Sequence, residues 1–159
     1  MHIGSDVKFD QFNINNVNCD IACDFKMECC DFSLSNVSGD VVKCDIIAEE
    51  SIIINNTSGD VDLLNLDAPK IKVSNVSGDI TIDELTADTV KLSTISGDII
   101  IQHATDAEFS INTVSGDVRI EEGADESKIK SSTVSGDIKI NGKVISKSIS
   151  DKIKNSFKW

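Results

Sequence analysis

Apolar and polar residues alternate along this chain in short triplets, and the triplets come in pairs. The first of each pair reads Phe32-Ser33-Leu34, Ile52-Ile53-Ile54, Ile71-Lys72-Val73, Val90-Lys91-Leu92, Phe109-Ser110-Ile111 and Ile129-Lys130-Ser131. The second reads Val41-Val42-Lys43, Val61-Asp62-Leu63, Ile80-Thr81-Ile82, Ile99-Ile100-Ile101, Val118-Arg119-Ile120 and Ile138-Lys139-Ile140. A period of two puts the outer residues of a triplet on one face and the middle one on the other. The middle positions are mostly Lys, Ser, Thr, Asp or Arg, so that face meets water. The pattern predicts half-buried strands, and the Ile and Val that fill it suit a pleated surface.

A turn joins the two triplets of each pair. It starts at Asn36, Asn56, Asn75, Thr94, Thr113 or Thr133 and runs through a fixed tripeptide. The copies are Ser38-Gly39-Asp40, Ser58-Gly59-Asp60, Ser77-Gly78-Asp79, Ser96-Gly97-Asp98, Ser115-Gly116-Asp117 and Ser135-Gly136-Asp137, with the glycines 20, 19, 19, 19 and 20 residues apart. A degenerate copy lies upstream as Asn16-Val17-Asn18-Cys19-Asp20. A fixed period means one structural unit repeated. One unit cannot bury its own apolar face, but units stacked like on like make continuous Ile, Val, Leu and Phe ladders. Twenty residues at ~3.3 Å make a loop of roughly 65 Å, and seven coils at ~4.8 Å make a rod of about 34 Å. The expected fold is therefore all-β, a single-domain parallel β-solenoid (β-helix) of about seven coils over residues 1–142.

Each part of the Ser-Gly-Asp corner has a use. Gly takes φ > 0 without steric cost, and Ser and Asp side chains bond turn backbone. Stacked carboxylates repel one another unless each is tied to backbone N–H groups or cations sit between them. The G-G-x-G-x-D nonapeptide of calcium-binding β-rolls is missing. Past the last turn, Ile145, Ile149, Ile153 and Phe157 recur every four residues with Lys147, Lys152, Lys154 and Lys158 between them. That spacing predicts a basic amphipathic helix over 143–159, capping the last coil. Such a helix also suits contact with an anionic membrane surface.

The Ser-Gly-Asp-apolar turns at this period, flanked by apolar-x-apolar strands, resemble the bacterial adhesin-type β-solenoid family labelled DUF4097, over about residues 13–142. The resemblance implies a non-catalytic, envelope-associated or adhesin-like binding module.

Composition narrows the chemistry. The net charge is −12. Eight lysines against Asp137 and Asp151 leave the chain from Lys128 onward at +6, and the first 127 residues at −18. An acidic body argues against a nucleic-acid partner. Cys19, Cys23, Cys29, Cys30 and Cys44 are odd in number and contain no C-x-x-C pair, so they read as small buried thiols rather than a zinc site. Thiols favour a reducing compartment. No apolar run nears the ~20 residues that span a bilayer, and Met1-His2-Ile3-Gly4-Ser5-Asp6 lacks a signal-peptide pattern. The chain as it stands reads as cytoplasmic, or as envelope-associated if an export segment has been removed.

Catalysis has little to work with. Glycoside hydrolysis needs two carboxylates at a set separation, and here most carboxylates are repeated turn residues. His103 stands alone in a loop, and Arg119 is the only Arg. The expectation is no enzyme, no catalytic or metal-binding residue and no cofactor, with the corner ladder as a structural feature. The expected function is a binding or interaction module whose partner is another protein or an envelope component. The alternatives are a purely structural scaffold or a carbohydrate-active β-helix enzyme. A broad exposed apolar strip would favour the binding module, and Ile53 and Ile100, both in outward columns, point to one.

Overall fold

Coil-to-coil pairing of the triplets builds the whole molecule. The structure is a computed structural model, and it describes residues 9–23 and 26–146. The strands that lead into the corners form one wall. They are β1 (Phe9–Asn18), β3 (Lys26–Ser38), the second half of β4 (Val41–Ser58), β6 (Lys70–Ser77), β8 (Thr89–Ser96), β10 (Glu108–Ser115) and β12 (Ile129–Ser135). The strands that leave the corners form the second wall: β2 (Ile21–Ala22), the first half of β4, β5 (Val61–Asp67), β7 (Ile80–Thr86), β9 (Ile99–Ala104), β11 (Val118–Glu122) and β13 (Ile138–Ile140). Every pairing between successive coils is parallel. The architecture is the β-solenoid of about seven turns that the repeat predicts.

Register turns sequence repeats into columns. Phe32 pairs with Ile52, then Ile71, Val90 and Phe109; Leu34 pairs with Ile54, Val73, Leu92 and Ile111. All ten side chains are buried. The facing wall contributes Val41, Val61, Ile80, Ile99, Val118 and Ile138, and a column running from Leu63 through Ile82, Ile101 and Ile120 to Ile140. A third, narrower side is closed by Ile46, Leu66, Leu85 and Ala104, with Ala48 and Ala68 beside it. Burying one such Ile or Leu stabilises the fold by about 1.5–3 kcal/mol. At the first coil Phe12 stacks on Phe32 with ring centres 5.9 Å apart, and Phe9 meets Phe12 edge-on at 5.5 Å. Two of the three aromatics, Phe9 and Phe12, are only half-buried and shield the end of the ladders from water.

Where a coil carries an odd residue, the chain absorbs it at a bulge. Lys43, at φ 55°, bulges out between Val42 and Cys44, where the register to β5 shifts. The last full coil takes up its extra length at a 3₁₀ turn, Glu126–Lys128, whose N-terminal N–H groups are met by Asp125: Ser127 N–H donates to Asp125 Oδ1 at 2.9 Å.

The C-terminal segment departs from expectation. A helical cap was predicted from residue 143, but Lys143–Ser146 is a strand, β14, running antiparallel to β13. The cause is Asn141-Gly142, with φ of 50° and 74°. Two consecutive residues at positive φ form the two-residue turn that suits the twist of a hairpin, and Asn-Gly is its preferred sequence. Asn141 N–H also donates to the Ile120 carbonyl at 2.8 Å, and Asn141 Nδ2 donates to the Ala124 carbonyl at 2.9 Å. The hairpin therefore covers the edge of the second wall with paired backbone. The remainder of the predicted cap, from residue 147 onward, lies outside the described residues.

The corner glycines stack directly. Gly97 sits at φ +138°, and a Cβ built on it would run into the carbonyl of Gly78 in the coil below. Gly142 lies at φ +74° with open space around its Cβ direction. Gly97→Ala is thus expected to cost about 3 kcal/mol, from backbone strain and collision together, and to lower Tm by roughly 10 °C. Gly142→Ala should cost only the left-handed backbone term, about 1–2 kcal/mol. Thermal melts of both variants check the difference, and equal losses would contradict the stacked-corner geometry.

Candidate functional site

The corners form one long edge of the solenoid, and it is built from parallel rows of equivalent residues. The innermost row is Asn36, Asn56, Asn75, Thr94, Thr113 and Thr133, all buried. The asparagines reach the turn backbone: Asn36 Nδ2 donates to the Gly39 carbonyl at 3.0 Å, and Asn75 Nδ2 donates to the carbonyls of Gly59 and Gly78 at 2.9 and 3.1 Å. The shorter threonines reach less well. Thr133 Oγ1 donates to the Ser135 carbonyl at 3.2 Å, while the hydroxyls of Thr94 and Thr113 have no partner among the described residues.

The Ser-Gly-Asp row carries the coil-to-coil bonding. Gly39 N–H donates to the Ser58 carbonyl at 3.1 Å, and the same bond recurs from Gly59 to Ser77, Gly78 to Ser96, Gly97 to Ser115 and Gly116 to Ser135. From Asp20 to Asp117, each Asp carboxylate accepts from the backbone N–H of the Asp one coil later. Asp60 N–H donates to Asp40 Oδ1 at 2.9 Å, Asp98 N–H to Asp79 Oδ1 at 2.8 Å, and Asp137 N–H to Asp117 Oδ1 at 2.8 Å. Asp20 joins the row by accepting from Asp40 N–H at 3.0 Å, so the degenerate first copy keeps its acceptor although Cys19 replaces Gly. A carboxylate that accepts a backbone N–H has one oxygen held in place, which fixes the spacing of the row. Its role here is to bond backbone.

Between these rows stands a feature that the motif concealed. The residue before each Ser-Gly-Asp points outward: Val37, Thr57, Val76, Ile95, Val114 and Val134, with Val17 in the first copy. The apolar members are 43–70% exposed. Over six coil steps of ~4.8 Å they form a ridge of about 29 Å, broken only by Thr57. Ile53 and Ile100, expected to begin an apolar strip, do not. Ile53 lies between Ser33 and Lys72 on one wall, and Ile100 between Thr81 and Arg119 on the other; both are half-buried. The strip lies instead at the residue before each Ser-Gly-Asp. The signal was present in the sequence: the alternation that buries Leu34 and Asn36 must expose Val37.

The remaining candidates stay scattered. His103 Nδ1 lies 3.4 Å from Glu122 Oε2, and Arg119 Nε lies 3.6 Å from Glu121 Oε1, all on the solvent side. Among the described residues, no three His, Cys, Asp or Glu side chains converge. Cys23, Cys29 and Cys44 are buried, Cys30 is half-buried and Cys19 is exposed. A hydrogen bond with Cys23, then burial, pushes the Cys44 thiol up from its ordinary range. Burial, then the charges of Cys30 and Asp31, push Cys29 up.

One comparison with known proteins is positive. The family model described as Toastrack DUF4097 matches residues 3–155. No curated protein and no solved structure matches the chain.

Two tests follow from this geometry. Asp79→Ala removes the acceptor for Asp98 N–H and should cost about 1–2 kcal/mol, whereas Asp79→Asn keeps an acceptor and should cost less than half of that; urea melts read both. A raised thiol pKa means less reactive thiolate at neutral pH. Iodoacetamide at pH 7.5, followed by mass spectrometry, should therefore label Cys19 first and reach Cys29 and Cys44 only in denaturant.

Proposed function

This chain belongs to the Toastrack DUF4097 family, and from that premise we propose that it is a non-catalytic interaction module which binds a partner protein along its corner ridge. The observation that carries this reading is the exposed row of Val37, Val76, Ile95, Val114 and Val134. Large contiguous apolar patches on a surface mark sites of association. Strand propensity alone does not account for the row, since Thr is equally β-branched and pays no hydration cost when exposed. Thr57 shows that the position accepts Thr, yet the other rungs are Val or Ile.

Charge selects the occupant. The Asp row lies three residues beyond the ridge in every coil, and it extends from Asp20 to Asp137. A second copy docked ridge to ridge would bring two such rows together. A partner with an apolar strip bordered by Lys or Arg meets the ridge and the carboxylates at once. The buried thiols suit a reducing compartment, so the partner is sought inside the cell. An adhesin-like use of the same ridge outside the cell would require those thiols to persist in an oxidising one.

Benzoylphenylalanine at Ile95 is expected to crosslink in cells to one defined protein. That protein, purified, should bind wild type at least tenfold more tightly than the triple variant Val76→Thr, Ile95→Thr, Val114→Thr, whose Tm should stay close to wild type. Equal binding by the triple variant, or crosslinks only to a second copy of this chain, would overturn the reading.

A further inference from the structure

A second feature of the first wall lies away from the ridge and concerns a small ligand. Strands β4, β6 and β8 run side by side, with Ile53 paired to Lys72 and Lys72 to Lys91, and Ser51 paired to Lys70 and Lys70 to Thr89. The intervening Ile52, Ile71 and Val90 are buried. The lysines therefore stand on the outer face, where they border a cleft of about 560 Å³. That volume lies in the range of small-molecule sites.

The charges here are arranged against the interest of the fold. Lys72 and Lys91 are directly opposite on neighbouring strands, an arrangement that destabilises a sheet. Neither they nor Lys70 form an ion pair among the described residues. Carboxylates are not scarce, since the chain has 27 Asp and Glu against 15 Lys and Arg. Some cations elsewhere do find them: Lys26 meets Glu28, Arg119 meets Glu121, Lys128 meets Asp106, and Lys143 meets Glu126. The column through this cleft instead runs Ser33, Ile53, Lys72, Lys91, Ser110, Lys130, with no acid in it.

We propose that the cleft bounded by Lys70, Lys72 and Lys91 binds a phosphate ester of a sugar or polyol. Three ammonium groups supply mobile point charges, which suit a compact, multiply charged phosphate. The other lining residues suit the polyol. Asp31 and Glu50 are hydrogen-bond acceptors for ligand hydroxyls, and Asp31 Oδ1 already accepts from Ser51 Oγ at 2.6 Å. Ile53 and the lysine stems offer apolar surface to a carbon skeleton. The same two carboxylates work against a bare anion, so the site favours phosphate that carries hydroxyls. Nucleic acid fits poorly, because the cleft has no aromatic side chain for base stacking and the body is acidic.

The phosphate ester has two sources, free in solution or in a lipid headgroup, and glucose 1-phosphate and phosphatidylglycerol vesicles represent them. Calorimetry at low salt should show binding of at least one, and none of glucose. Lys72→Gln with Lys91→Gln should weaken that binding at least tenfold with Tm unchanged or raised, since a like-charge contact is removed. Lys128→Gln, an equal kind of charge loss at a paired and distant lysine, should change it less than twofold. Asp31→Asn should strengthen binding of inorganic phosphate and reduce the preference for the ester over it. Failure of both ester probes, or equal weakening by Lys128→Gln, would overturn the proposal. A preference for the ester that survives Asp31→Asn would overturn the role given to Asp31. The ridge plays no part in these readouts, so this outcome and that of the ridge variant are independent.

Discussion

Everything in this molecule depends on backbone hydrogen bonds from one coil to the next being made in constant register. Once the Gly N–H to Ser carbonyl bond and the Asp N–H to Asp carboxylate bond recur at every corner, each side chain is placed one strand spacing above its counterpart. The core then fills by repetition: the neighbours of an inward apolar position are the same position above and below, and the Leu34 column stays apolar until the terminal coil, where Ser131 follows Ile111. Glycine is required at the corner for the same reason. Adjacent corners approach so closely that the carbonyl of one occupies the space of a Cβ on the next.

Much of this was legible because a period-2 pattern and a 19–20 residue repeat constrain each other. Alternation identified the inward residues, and the repeat said which of them would stack. The ridge was hidden by a matter of boundaries. The turn read from the sequence starts at Asn36 and so takes in Val37, whereas the strand continues through Val37 to Ser38. The C-terminal strand was missed for a different reason. The four-residue spacing from Ile145 onward competes with a two-residue signal, Asn141-Gly142, and at residues 143–146 the local turn geometry prevails.

The lysine cleft shows a further limit of reading along a chain. Lys72 and Lys91 occupy the same place in consecutive units, and each by itself is an ordinary solvent-facing middle residue. Only their juxtaposition, without an ion pair to either, beside Ser51 and Ile53 makes a concave site. In a solenoid, chemistry on the surface is encoded across units, while the fold is encoded within them.

The hairpin at Asn141-Gly142 bears on how such a protein changes length over evolutionary time. Because β14 folds back antiparallel on β13, the end of the second wall is sealed by the chain's own following residues and does not call on a particular neighbour further down the rod. Duplication or loss of a whole unit upstream would leave that terminus intact and the register of the remaining columns undisturbed. The outer surface would then lengthen or shorten in fixed increments of one coil. A lineage carrying this architecture can therefore change the length of its outer columns, the ridge included, without redesigning any one unit.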